Sequence, residues 1–230
     1  MGSAEGVAVS GNGTNLQAII DACDAGRGGG AISRGKSTLP ETRISVVVSN
    51  RKAAYALKRA EAHGIPTIYH PFLPYRVAGR SRSEYDRDLA KKLSGYPVDL
   101  VIMAGWMHVF TQDFLRHYAG RVLNIHPALP GAFPGTHAIQ RAYAAFQAGE
   151  IDHTGVMVHR VPDEGVDSGP VILQRAVPIY STDTLDDLEA RIHSVEHELY
   201  VEAIAQGTGL SYGRRTPHTR PSKTRVLTHS

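Results

Sequence analysis

Asn124, His126 and Asp167 are the side chains of this chain best suited to acyl transfer. Leu123-Asn124-Ile125-His126-Pro127 is an apolar run that ends in Asn and His and is halted by Pro. It reads as a buried strand delivering two polar groups to its mouth. Alternate strand residues share a face, so Asn124 and His126 point the same way. They stand ~6–7 Å apart, a span that can flank one reacting carbonyl. Asp167-Ser168-Gly169-Pro170 supplies a carboxylate on a glycine turn that could reach the same mouth. The three groups are an oxyanion donor, a proton carrier and a residue that orients and charges the carrier. Asp167 is expected to favour the protonated imidazole of His126, by charge more than by desolvation.

Two further segments lie where ligands bind in open α/β sheets, beyond the carboxyl ends of strands. Ser10-Gly11-Asn12-Gly13-Thr14-Asn15 joins an apolar strand to a helical run. Its glycines allow close backbone approach, and the first free N–H groups of the helix point at an anion. The third glycine of a dinucleotide fingerprint is missing. The second strand ends in Ser49-Asn50-Arg51, without an acidic ribose reader. A monophosphate site is the expectation. Ala104-Gly105-Trp106-Met107-His108-Val109 offers Trp106 and Met107 as a wall for a planar heterocycle, against the plainer reading of core packing. His193-Ser194-Val195-Glu196-His197 matches an inverted zinc-protease pattern. A third ligand should come from a later segment, but only Glu198 and Glu202 follow, on the same helix. No metal is expected.

These groups need a scaffold, and strand-like and helix-like segments alternate from the start. Strands are expected at Gly6–Ser10, Arg43–Ser49, Pro66–His70, Val98–Ala104 and Arg121–Ile125. Helices are expected from Leu16 to about Ala25, at Lys52–His63, at Arg82–Ser94 and at Thr111–Tyr118 with Thr111 as cap. A loop is expected at Pro71–Gly79 and a flexible insertion at 26–42. Further on come a helix within Gly135–Gly149, strands at Thr154–Val161 and Val171–Ile179, and a closing helix at Thr184–Ala205. Strands separated by helix-length segments imply βαβ units. The expected fold class is α/β and Rossmann-like: a mostly parallel twisted sheet of about seven strands flanked by helices, with an antiparallel C-terminal part. Residues 1–210 are expected to form a single domain.

Composition narrows the setting. A length of 230 residues and 42% apolar content suit a globular domain with a substantial core. No apolar run approaches the ~20 residues that span a bilayer. No signal-peptide pattern is seen, and Cys23 is the single cysteine, so a cytoplasmic setting is expected. The isoelectric point near 9.0 suggests nucleic acid until the charges are located. Arg214, Arg215, Arg220, Lys223 and Arg225 lie in residues 211–230, where there is no acid. The rest of the chain is slightly acidic. The basicity belongs to a Pro/Ser/Thr-rich tail expected to be disordered, and neither a nucleic-acid nor a membrane partner is expected.

Taken together the motifs resemble the phosphoribosylglycinamide formyltransferase family of folate-dependent enzymes. The resemblance runs from about Val7 to Tyr200. It includes Ser10 through the Leu16-Gln17-Ala18-Ile19-Ile20 helix, Val48-Ser49-Asn50-Arg51 and Met103-Ala104-Gly105-Trp106-Met107. It continues through Leu123 to Leu129, Phe133-Pro134-Gly135, Val158-His159 and Asp167 to Gln174. The resemblance implies that Gly13, Thr14 and Asn15 bind the phosphate of a glycinamide ribonucleotide, with His193 and Glu196 meeting the same substrate. It implies that Arg82, Met107, His108, Val109, Phe110 and the loop Asp163, Glu164, Gly165, Val166 and Asp167, together with Asn124, hold 10-formyltetrahydrofolate. That folate is a co-substrate, and no cofactor is permanently bound. Asn124, His126 and Asp167 would be catalytic, and the protein a monomer or homodimer. His108 stands where the family often has Arg, and the loop from His159 to Asp167 is one residue longer than in the bacterial form.

The same trio would serve formyltetrahydrofolate hydrolysis or methionyl-tRNA formylation. The hydrolase usually carries an extra N-terminal domain and the tRNA enzyme a C-terminal one, so length favours the small-molecule transferase. An inactive nucleotide-binding regulatory module is the remaining alternative, and the intact trio argues against it.

Overall fold

The computed structural model of the chain describes residues 2–27 and 38–209. Seven strands form one sheet: β1 (Ser3–Val9), β2 (Thr42–Ser49), β3 (Thr67–Tyr69), β4 (Leu100–Met103), β5 (Val122–His126), β6 (His153–Arg160) and β7 (Val171–Pro178). Their spatial order is β3-β2-β1-β4-β5-β6-β7. The first five are mutually parallel, and β6 runs antiparallel to both β5 and β7. The expected mostly parallel sheet with an antiparallel C-terminal part is therefore what the chain forms.

Helices cover both faces, which is why the central strands read as unbroken apolar runs. α1 (Thr14–Gly26), α2 (Tyr55–Ala62), the later α6 (Ala138–Gln147) and α7 (Leu185–Gly209) share one hydrophobic cluster. In α1 the buried set Leu16, Ile19, Ile20 and Cys23 follows the helical period. On the opposite face lie α3 (Leu73–Val77), α4 (Arg82–Leu93) and α5 (Gln112–Leu115), the last running into a 3-10 turn at Arg116–Tyr118. Their cluster is rich in aromatics: Tyr85, Trp106, Phe110, Phe114 and Tyr118.

Three local expectations are corrected. Pro71–Gly79 is not all loop, because α3 forms within it. Pro74 sits at the helix start, where a missing N–H costs nothing, while Phe72 and Tyr75 pack edge-on against Tyr85. Tertiary aromatic contacts therefore decide a segment whose local signals favour a turn. β1 begins at Ser3 rather than Gly6, its early residues pairing with Thr42 and Arg43 of β2. Thr111 occupies the cap position of α5 but makes no side-chain cap bond; its backbone N–H instead donates to buried Asp86 at 2.7 Å. By contrast α4 has a full capping box, with Ser81 and Glu84 exchanging bonds. Most of the insertion expected at 26–42, and the 211–230 tail, lie outside the described residues.

One buried charge stands apart from any site. Glu5 is fully buried in β1, and neither carboxylate oxygen has a hydrogen-bond partner among the described residues. Burial pushes its pKa up to about 7, against the pull of the Ser3 hydroxyl and with help from the charge of Asp99. The folded chain therefore keeps this proton to a higher pH than the unfolded chain. Stability from this group is intact below the unfolded value and is lost as pH rises through about 7. The loss approaches roughly 3 kcal/mol. Glu5→Gln is expected to raise the unfolding temperature by several degrees at pH 8 and far less at pH 5. Equal shifts at both pH values in thermal denaturation would contradict this account.

Candidate active site

The site lies along the carboxyl ends of the parallel strands. β5 ends on Asn124 and His126, and β6 runs beside it with Asn124 opposite His159. The chain leaving β6 turns back through Asp163–Pro170 and brings Asp167 over the end of β5. Asp167 has φ 51°, in the left-handed region that Asp tolerates better than most residues. That twist aims its carboxylate into the gap between the two strand residues.

The carboxylate gathers four groups. Asn124 Nδ2 donates to Asp167 Oδ1 at 3.1 Å, and the Gly135 N–H donates to Oδ2 at 2.8 Å. His126 Nδ1 is 3.2 Å from Oδ2, and His159 Nε2 is 3.5 Å from Oδ1. Burial alone would raise the Asp167 pKa. The His159 ring, the Gly135 amide and the charges of both histidines outweigh it and leave the carboxyl below its ordinary value. The structure thus brings the three expected residues together and adds His159, which is 2% exposed. His159 Nδ1 donates to the Arg160 carbonyl at 2.9 Å, so its Nε2 faces Asn124 and Asp167. No local motif marks His159. Only the cross-strand register next to Asn124 does, and register is invisible until the strands are paired.

His126 departs from expectation. Burial holds its pKa below the ordinary histidine value, and the opposing pull of Asp167 and the Phe133 carbonyl does not prevail. Desolvation therefore outweighs charge at this ring, the reverse of the sequence reading. Its Nε2 donates to the Phe133 carbonyl at 3.1 Å, because a carbonyl can only accept. In the neutral ring the Nδ1 lone pair then faces the Asp167 carboxylate. One proton fits between Nδ1 and Oδ2, and its arrival relieves that opposition. The Phe133 carbonyl is itself fixed: Arg141 Nη2 donates to it at 2.7 Å and to the Pro134 carbonyl at 2.6 Å.

Asn124 is also more committed than expected. One Nδ2 serves both Asp167 and, at 3.3 Å, His159. With two N–H bonds and two partners, it reaches a new acceptor only by exchanging one of them.

The glycine turn expected to take a monophosphate lies at the end of β1. Gly13 caps α1 with φ 77°, leaving Thr14 and Asn15 as the first helical residues, and no side chain occupies the cap. α2 braces the turn from behind: the Ala56 N–H donates to the Gly11 carbonyl, and Arg59 Nε donates to the Asn12 carbonyl at 3.0 Å. α7 closes over the same helix start. Burial pushes the Glu196 carboxyl up to about 7, partly offset by a bond from Asn15, and exposed His193 lies 3.9 Å from Glu196. Among the described residues no group of three or more His, Cys, Asp or Glu is arranged to hold a metal.

The segment after β4 lies on the other face of the sheet. Met107 is 62% exposed and Val109 is exposed, while Phe110 is buried and stacked on Phe114. Trp106 is only 5% exposed and packs against Phe110, so it is core rather than a wall for a ligand. Arg82 fixes this segment: Nη2 donates to the Val109 carbonyl at 3.0 Å, Nη1 to His108 Nδ1, and Nε pairs with buried Asp86 at 3.2 Å. Burial, with the charges of Arg82 and Arg51, lowers the His108 pKa to about 4. The neutral ring accepts from Arg82. Across the cleft, Glu164 accepts from the Gln112 N–H, Asp163 from the Gly165 N–H, and Val166 is exposed. Ser10 ties the two faces together, its hydroxyl donating to Asn50 at 2.8 Å and accepting from the Met107 N–H at 3.2 Å.

A glycine turn at a helix start and an exposed apolar segment thus lie to either side of an amide–imidazole–carboxylate cluster. Residues 6–204 match the family model described as formyl transferase, and the chain belongs to that family. It is 45% identical over 206 residues to phosphoribosylglycinamide formyltransferase of Schizosaccharomyces pombe, covering 87% of this chain and 94% of that one. It is 41% identical to the Escherichia coli protein of the same name, covering 86% and 84%. Among solved structures, glycinamide ribonucleotide transformylase 1 from Geobacillus kaustophilus superposes with a TM-score of 0.77 at 37% identity, covering 91% of this chain and all of that one.

Gly13 allows a direct test of the anion turn. A Cβ there would stand 2.6 Å from the Ala56 Cβ, on a backbone conformation that side chains rarely adopt. Gly13→Ala is expected to cost about 1–3 kcal/mol of stability and to abolish binding of a phosphate monoester, read by chemical denaturation and calorimetry. Unchanged binding would remove the phosphate from this turn.

Proposed function

We propose that the cluster of Asn124, His126 and Asp167 carries transfer of the formyl group of 10-formyltetrahydrofolate to the amine of phosphoribosylglycinamide, a step of purine synthesis. The observation that carries this reading is the Asp167 carboxylate in contact with both strand residues between two differently built substrate cradles. The turn at Gly13, Thr14 and Asn15, with His193 and Glu196 of α7, takes the ribonucleotide. The segment Met107, His108, Val109 and Phe110, held by Arg82 and faced by Asp163, Glu164, Gly165 and Val166, takes the folate.

The amine attacks the formyl carbon, forming a C–N bond and a tetrahedral oxyanion. Asn124 releases one partner of its Nδ2 and donates to that oxygen, and His126 Nε2 exchanges the Phe133 carbonyl for it. One such donor is worth about 2.7–4 kcal/mol of barrier. The amine then loses a proton, and the empty position between His126 Nδ1 and Asp167 Oδ2 suits its transient residence. Collapse breaks the carbon–N10 bond, and the proton ends on N10 of the released tetrahydrofolate. A depressed Asp167 pKa keeps the carboxylate charged before the proton arrives. The residues present suffice for this transfer with folate as a consumed co-substrate.

No helix among the described residues is long and apolar enough to cross a membrane. We propose a cytoplasmic enzyme that acts on small molecules, as a monomer or homodimer, with residues 1–210 as its single domain.

Asn124→Ala and Asp167→Asn are each expected to lower kcat by roughly 10²-fold, with the double variant losing less than the product. Asn tolerates the backbone at 167, so the fold is retained. The folate absorbance change, followed with and without the ribonucleotide, measures both claims. Near-normal turnover in either variant overturns the residue roles. Formate release without ribonucleotide would instead indicate a hydrolase.

A further inference from the structure

Between β5 and α6 the backbone is left-handed at every second residue: Gly131, Phe133, Gly135 and His137 all have positive φ. Phe133, at φ 46°, is unusual, since few non-glycine residues adopt that region. Such a conformation persists only where its surroundings over-determine it. Arg141, near the start of α6, is the clamp. Its Nη2 donates to both the Phe133 and the Pro134 carbonyls, and its guanidinium carbon lies 5.9 Å from the centre of the Phe133 ring. Among the described residues its side chain makes no other hydrogen bond. α6 is itself a fixed platform. Ala138, Ile139, Ala142 and Ala145 are buried, Gln140 donates to Glu189, and the Tyr143 hydroxyl donates to the Asp183 carbonyl.

The clamped segment meets the cluster at His126. The Phe133 carbonyl has two lone pairs, one taken by His126 Nε2 at 3.1 Å and the other by Arg141 at 2.7 Å. In the reaction proposed above, Nε2 leaves this carbonyl for the oxyanion. A half-buried carbonyl whose sole donor departs is stranded, and an unmade bond there costs more than a made one contributes. With Arg141 present the oxygen keeps a charge-assisted donor throughout. Resting on that functional reading, we propose that Arg141 is a positioning residue for formyl transfer. It holds the Phe133 carbonyl against His126 at rest and satisfies that carbonyl alone once Nε2 has moved to the oxyanion. The Gly135 N–H that donates to Asp167 lies on the same segment, a second route from Arg141 to the cluster that the experiment has to separate from the first.

The test measures kcat, the KM of each substrate and the unfolding temperature for Arg141→Met and Arg141→Lys, and repeats Arg141→Met in a His126→Ala background. Arg141→Met keeps the aliphatic stem and loses the donor. It is expected to lower kcat about tenfold, with either KM changed by less than about twofold. Arg141 is exposed, so the unfolding temperature should stay close to that of the wild type. One nitrogen serves both carbonyls, so a lysine ammonium can stand in where a forked contact could not. Arg141→Lys should therefore recover most of kcat. In the His126→Ala background no imidazole has to leave the carbonyl, and Arg141→Met should not lower the single-turnover rate further. An unaltered kcat, a loss carried by KM, or no recovery with lysine overturns the proposal. The same loss in the His126→Ala background overturns it too, assigning Arg141 to Asp167 through Gly135. Absence of formyl transfer by the wild type would sink the functional reading itself, whereas normal transfer indifferent to Arg141 removes only this inference.

Discussion

The carboxylate of Asp167 is the point on which the site turns. A charge at 9% side-chain exposure is tolerable only when surrounded by donors. Here those donors are the Gly135 amide and the Asn124 side chain, with two histidine rings close beside them. They come from β5, β6 and the segment at Gly135, so ordering the carboxylate ties three stretches of chain together. The left-handed backbone at Asp167 is a strain of order 1 kcal/mol, offset by the contacts that conformation permits.

That arrangement also explains why His126 is held neutral without being inert. Its ring lies between two acceptors, one a carbonyl fixed by Arg141 and the other the carboxylate. Burial disfavours the imidazolium, yet both ring nitrogens point at groups that would welcome one. The ring and carboxylate together form a proton receptor whose titration belongs to the pair. Asn124 is balanced in the same way, its N–H groups engaged but exchangeable. On the proposed reading, such a site is preorganised for charge that develops during reaction rather than for charge already present.

The sheet divides the two candidate cradles between its faces. One face holds the turn at Gly13, braced by α2 and closed by α7. The other holds the segment fixed by Arg82 and Asp86. Ser10, bonded to Asn50 and Met107, stands at the junction. The parallel order of β1, β4 and β5 puts all three strand ends side by side, so loops from both faces converge near the end of β5. The antiparallel pair β6–β7 then supplies what a parallel sheet cannot: a return loop that crosses over the end of β5.

Much of this was legible in the residues themselves. The apolar runs and their period give the strands and helices, because burial on both faces demands them. Gly13 before a helix start gives a tight left-handed turn, since only glycine accepts that backbone against Ala56. Asn124 and His126 share a face because strand geometry has a period of two. The partners that modify these groups were not legible. His159 enters through cross-strand register, α3 through aromatic packing on Tyr85, and the neutrality of His126 through desolvation by neighbours distant in sequence. Trp106, weighed as a ligand wall against core packing, is buried, and the commitments of Arg82 to Val109, His108 and Asp86 have no local signal. Chemistry at the level of side-chain type is written locally, but pKa, exposure and hydrogen-bond commitment depend on which atoms the folded chain brings within a few ångströms, and only the tertiary structure decides that.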